Sequence, residues 1–152
     1  RGLGDVYKRQ EQERIRRGTK TAFVMSGIFS LIISAAVFIF AAPLMRIFIA
    51  ASQTQVIAAG VHYLRIEGAF YIGIGFLFLL YGYFRAIKRA GMSVVLTVIS
   101  LGTRVLLAYA LSSISSIGVT GIWAAIPIGW FLADVTGLIY MKALSSNAGT
   151  GV

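Results

Sequence analysis

Cysteine is absent from the 152 residues and histidine occurs once, so neither a disulfide scaffold nor a zinc or iron–sulfur site of the usual ligand sets can be assembled. Charge is scarce too: 12% of residues are charged against 58% hydrophobic, whereas soluble domains carry about 25% charged residues. That balance also excludes intrinsic disorder, which needs low hydrophobicity and high charge. The sequence holds no G-x-x-x-x-G-K-[ST], H-E-x-x-H or G-x-S-x-G motif, so phosphate-loop, zinc-protease and hydrolase chemistry have no anchor. With one histidine and five acidic residues there is little material for acid–base catalysis, and no enzyme is expected.

What remains is apolar and basic, with a formal charge of +9 and a mean hydropathy of +0.84. The basic residues form no face for nucleic acid and do not interleave with aromatics; most precede Thr21 or cluster at Arg85, Lys88 and Arg89 between long apolar stretches. This is how Lys and Arg distribute in the cytoplasmic loops of membrane proteins. The bilayer is therefore the expected partner.

A helix needs about 20 apolar residues to span a bilayer. The sequence predicts an all-α membrane unit over 14–144 with four spans. They lie at about 21–42, ended by Pro43; about 66–86; about 92–111, interrupted by Arg104; and about 119–141, interrupted by Asp134. Residues 1–13, which begin without Met, are expected to be a non-native or disordered leader, and residues 145–152 a frayed tail. Short connections at Ser52–Gln55, Lys88–Gly91 and Ser112–Gly118 make neighbouring spans antiparallel. Arg14, Arg16, Arg17, Lys20, Arg85, Lys88, Arg89 and Lys142 then fall on one side, with Arg46 and Arg65 on the other. The positive-inside rule puts both ends in the cytoplasm.

Helices associate in lipid through small residues that let backbones approach. Such stripes run along Ala22, Ser26, Ser30 and Ser34, along Gly68, Gly75 and Gly82, and along Ala125, Gly129, Ala133 and Gly137. Packing is the plain reading; smooth faces would also permit the sliding that alternating access requires. Tyr63, Tyr83 and Trp123 suit interfacial belts, and His62 suits an interfacial position better than proton carriage. Tyr71 and Tyr81 either pack or line a cavity that meets organic cations through ring faces.

An ionisable group at the centre of a span costs at least about 2.5–3.5 kcal/mol, which makes such groups the best functional candidates. At 1.5 Å per residue, Arg104 lies about 18 Å and Asp134 about 10 Å from the cytoplasmic ends of their spans, a gap of about 8 Å that an extended Arg can bridge. An Arg104–Asp134 ion pair locking adjacent helices is therefore expected; alternatively Asp134 titrates or binds a cation during transport. Glu67, beside Arg65 and His62 in sequence, reads as a solvated or paired carboxylate rather than an ion ligand. Arg46 can snorkel outward.

Several stretches carry a family resemblance. RIRRGTKTA from Arg14, the F-x-A-P-L-M-R-I-F-I end of the first span from Phe40, and Tyr63-Leu64-Arg65-Ile66 lead into GMSVVLTVISLGTRVLLAYAL and IGVTGIWAAIPIGWFLAD. Together they resemble the multidrug and toxic compound extrusion (MATE) transporters, over nearly all of Arg14–Met141. The resemblance implies a twelve-helix fold of two six-helix lobes, of which this chain corresponds to helices nine to twelve in the carboxyl-terminal lobe. It implies a bacterial inner-membrane antiporter that exports organic, often cationic, compounds in exchange for Na⁺ or H⁺, with no other cofactor and with the amino-terminal lobe as partner. Transport-pathway or ion-coupling candidates are Asp134, Arg104, Glu67, Tyr71 and Tyr81. Two departures stand out: Ala86 and Lys88 replace glycines of the usual Gly-x-x-Arg-Gly-x-Gly turn, and Gly73-Ile74-Gly75 stands where some members carry a coupling carboxylate. The competing readings are a lipid-linked polysaccharide flippase of the same superfamily, favoured by a groove lined with Arg, and a small four-helix membrane interaction module.

Overall fold

The computed structural model describes the backbone of residues 2–150 and the side chains of residues 10–146. Five α-helices and no strands occur among the described residues: α1 (Gly2–Phe48), α2 (Thr54–Gly68), α3 (Tyr71–Ala86), α4 (Ala90–Ser112) and α5 (Val119–Thr150). Three of them, α1, α4 and α5, are each long and apolar enough to cross a membrane. The pair α2 and α3 passes the same test only when taken together, as a span broken at the bend or as a re-entrant loop.

The chain turns the soluble pattern inside out. Bulky apolar side chains such as Met25, Phe29, Ile39, Val98, Leu106 and Ile139 are exposed, while Ser30, Ser34, Glu67, Ser100 and Asp134 are buried. Lipid accepts the first set at no cost, and the second can find partners only inside the bundle.

Two boundaries differ from the sequence expectation. α1 does not stop at Pro43 but runs on to Phe48. Proline removes one N–H donor, while the turns beyond it keep their bonds, as Ile49 N–H to the Met45 carbonyl shows at 3.0 Å. Met45 is also pinned against Gly60 of α2, in the space a Cβ there would take. The second difference is the span expected at about 66–86, which begins at Thr54 and breaks at Ala69–Phe70 with a bend of 49°. There the ladder tightens to shorter bonds, Phe70 N–H to the Glu67 carbonyl at 3.1 Å and Gly73 N–H to the Phe70 carbonyl at 2.9 Å. Gly68, a weak helix former, presses on Val37 of α1 at this point.

At the ends of the chain, α1 is helical from Gly2, across most of the stretch expected as a leader, and α5 continues past Ser145 to Thr150. The side chains of residues 1–9 and 147–152 lie outside the described residues.

The bent pair occupies the middle of the bundle. α1 packs on α2 and α3 from one side, α5 packs on α2 and α3 from the other, and α4 lies against α5 and α3. Leu77, Leu80, Phe84, Leu96, Trp130 and Ala133 form the core shared by α3, α4 and α5. At one end of the bundle Trp123 contacts the rings of His62 and Tyr63, with centroids 5.6 and 5.8 Å apart. At the other, Arg89 donates to the Tyr140 hydroxyl at 2.8 Å, and Phe84 meets the Tyr140 ring.

Candidate transport site

The break between α2 and α3 sets the depth of the polar groups. Glu67 lies one residue before the end of α2, and Gly73 lies just inside α3. The missing side chain at Gly73 lets α5 approach: a Cβ there would sit 3.3 Å from Trp130 Cβ and 3.7 Å from Asp134 Oδ2. Trp130 and Asp134, one turn apart on α5, thus share the face turned to α3.

Arg104 comes in from α4 on a different face. Its Cβ would be 3.6 Å from a Cβ on Gly129, and its guanidinium carbon lies 5.9 Å from the centre of the Trp130 ring. Gly129 and Asp134 are about 140° apart around the axis at 3.6 residues per turn. Consequently the ion pair expected between Arg104 and Asp134 does not form. The two side chains leave their contact with different azimuths on α5, and the Arg104 guanidinium lies over the Trp130 ring instead.

Arg104 forms no ion pair with Glu67 either, and its Nε is buried without a hydrogen-bond partner. Tyr63 stands one turn back from Glu67 on α2, with its hydroxyl near the carboxylate. Glu67 is buried, which removes the solvated one of the two expected readings, solvated or paired. Its sequence neighbours point elsewhere: Arg65 lies over the Phe38 ring at 5.3 Å, and His62 is exposed beside Trp123. The one-turn spacing of Tyr63 and Glu67 was the signal available for their pairing.

Polar atoms from α2, α4 and α5 remain unsatisfied. Glu67 Oε1, Arg104 Nε and Asp134 Oδ1 are all buried without a hydrogen-bond partner. Native interiors leave few such groups, and those they do leave call for a reason.

The two tyrosines separate. Tyr81 meets Thr97 Oγ1 of α4 at 3.1 Å and packs beside the core. Tyr71 lines an open apolar cavity of about 420 Å³ between α1 and α3, together with Ser26, Phe29, Ser30, Gly75 and Phe78. The floor of that cavity depends on Gly75, where a Cβ would fall 2.6 Å from Ser30 Oγ.

The MatE family model matches residues 7–110, about two thirds of the chain. The chain belongs to the MatE family. No curated protein and no solved structure matches it in the corresponding comparisons. MatE proteins are transporters rather than enzymes, so the bundle is a multi-pass membrane unit of a MATE-type transporter or flippase superfamily. The match covers α1 to α4 nearly to the end of α4, with Glu67, Tyr71, Tyr81 and Arg104 inside it. α5, which supplies Trp130 and Asp134, lies beyond the matched residues.

Proposed function

We propose that this chain is part of a secondary antiporter that exports organic, often cationic, compounds in exchange for Na⁺ or H⁺ across a bacterial inner membrane. The chain supplies helices nine to twelve of a two-lobed transporter, with both ends in the cytoplasm and the amino-terminal lobe closing the substrate cavity. The observation that carries this reading is that Glu67, Arg104 and Asp134, from three different helices, each keep a buried side-chain atom without a hydrogen-bond partner. A bundle built only for packing or assembly has no use for three ionisable groups that each cost several kcal/mol. A flippase groove for lipid-linked sugars would present several arginines inward. Among the described side chains Arg104 is the one arginine that is not exposed, which favours the antiporter.

The test is efflux of a fluorescent organic cation by the full-length protein, in sodium-free and sodium-containing buffers at a fixed pH gradient. Efflux that follows either ion gradient supports antiport. Efflux indifferent to both gradients contradicts it.

A further inference from the structure

We propose that the groove between α1 and α3 holds one acyl chain of an anionic phospholipid, with the phosphate of its headgroup on Arg85 and Lys20. The proposal goes beyond the antiport reading and needs only that the bundle lies in a bilayer. Three close contacts align α1 with the bent pair. Gly75 meets Ser30, Gly68 meets Val37 and Gly60 meets Met45, so each step back along α1 matches one step forward along α2 and α3. The same register, carried on from Ser30 and Gly75, brings Lys20 level with Arg85. Each of the two lies ten residues from that contact, about 15 Å along its helix axis. Half of a bilayer's hydrocarbon core is also about 15 Å deep. A headgroup held at Lys20 and Arg85 therefore puts the end of its chain beside Ser30 and Gly75, in the cavity of about 420 Å³.

α3 carries the cavity toward the charge. Phe78 lines the cavity, and Gly82 and Arg85 follow it one and two turns further along the same face. A Cβ on Gly82 would meet nothing within 4 Å, so the way from the cavity to the guanidinium is open. The Ser26 and Ser30 hydroxyls crowd the space a Gly75 side chain would take, which leaves Phe29, Ile33, Ile74 and Phe78 to meet the contents. On the rim Phe29 is 67% and Phe78 64% exposed, so a lipid tail enters sideways without passing a polar group. No charged side chain lines the cavity, and a charged ligand there would lose its hydration without compensation. The charges at the mouth select the headgroup. Arg17 is paired with Glu13, and Arg89 donates to the Tyr140 hydroxyl. Lys20 and Arg85 are exposed and carry no ion pair among the described residues. A guanidinium fork matches a phosphate, and each basic residue at a membrane surface strengthens the hold on anionic lipid by about fivefold.

The experiment uses the full-length protein in phosphatidylcholine vesicles containing a trace of photoactivatable lipid with a diazirine in one acyl chain. Phosphatidylglycerol and phosphatidylcholine probes are compared. On illumination the phosphatidylglycerol probe should attach to cavity residues such as Phe29, Ile33 or Phe78, with a yield there at least fivefold above the phosphatidylcholine probe. Arg85→Gln should lower the ratio of the two yields at least threefold, Arg85→Lys should retain most of it, and Arg46→Gln, at the far end of α1, should leave it unchanged. Because the ratio is taken within one variant, it is independent of how much of that variant folds. Gly82→Leu, which fills the open space below Arg85, should lower cavity attachment of both probes. Attachment elsewhere on the surface with none in the cavity overturns the proposal and means that another part of the full-length protein covers the groove. Equal yields for the two headgroups, or a ratio unmoved by Arg85→Gln, overturn it as well. The labelling does not depend on transport, so a protein that takes up the lipid but whose efflux ignores both ion gradients loses the antiport reading and keeps this site.

Discussion

Lys88 is the residue whose backbone is least at ease. It has φ of 60°, the left-handed region that favours glycine, and it sits where α3 ends. The Arg89 N–H bonds the Phe84 carbonyl at 2.8 Å and the Lys88 N–H bonds the Arg85 carbonyl at 3.1 Å, the paired closure of a helix that normally has glycine at the left-handed position. The lysine at this position is one of the two departures from the usual family turn, and the structure gives that departure a physical cost. Lys88→Gly should raise stability by about 1 kcal/mol, read as a higher midpoint of thermal unfolding in detergent. At the same scale, if its charge serves buried Glu67, Arg104→Gln should destabilise by about 2 kcal/mol. Glu67→Gln in that background should recover part of the loss. Additive costs in this double-mutant cycle would mean that the two groups do not interact. Each of these charges was visible in the sequence as an ionisable group in an apolar run. Their partners were not: position along a helix gives depth, whereas pairing depends on azimuth. Arg104 and Asp134 are within an arginine's reach by the first and are separated by the second.

Among the elements, α4 and α5 depend most on close approach. A Cβ on Gly129 would lie 2.6 Å from the backbone carbonyl oxygen of Ser100, and backbone cannot swing aside as a side chain can. Gly129→Ala should therefore push the helices apart and cost about 1–3 kcal/mol. Gly82→Ala, with nothing within 4 Å of the added carbon, should be neutral or gain about 0.5–1 kcal/mol from helix propensity. Thermal unfolding of the two variants side by side checks the contrast. Sequence alone gave access to the spans and to the small-residue stripe through Gly129, because apolar length and four-residue spacing are local properties. It did not disclose the break at Ala69–Phe70 or the start of α2 at Thr54. His62, Arg65 and Glu67 dilute the hydropathy of α2, and the bend coincides with the packing of Gly68 on Val37, which no local window contains.

At the level of the whole molecule, the bent pair decides the topology. If α2 and α3 cross the bilayer as one broken span, Ser52 and Lys88 lie on opposite sides, and the turn at Lys88 shares its side with the basic stretch Arg14–Lys20. If the pair instead dips in and returns, Ser52 and Lys88 share a side. The charge distribution favours crossing. Arg85, Lys88 and Arg89 cluster at the α3–α4 turn, while the α1–α2 and α4–α5 connections carry no Lys or Arg. The absence of cysteine makes the question directly measurable, since any thiol introduced is the chain's only one. Single substitutions Ser52→Cys, Arg85→Cys and Ser115→Cys all fall at exposed positions. In intact cells expressing the full-length protein with its other cysteines replaced, a membrane-impermeant maleimide should label the first and third from outside. It should label Arg85→Cys only after the membrane is permeabilised. Labelling of Arg85→Cys and Ser52→Cys from the same side would make the pair re-entrant. The break beside Glu67 would then be the tip of a loop rather than the midpoint of a span.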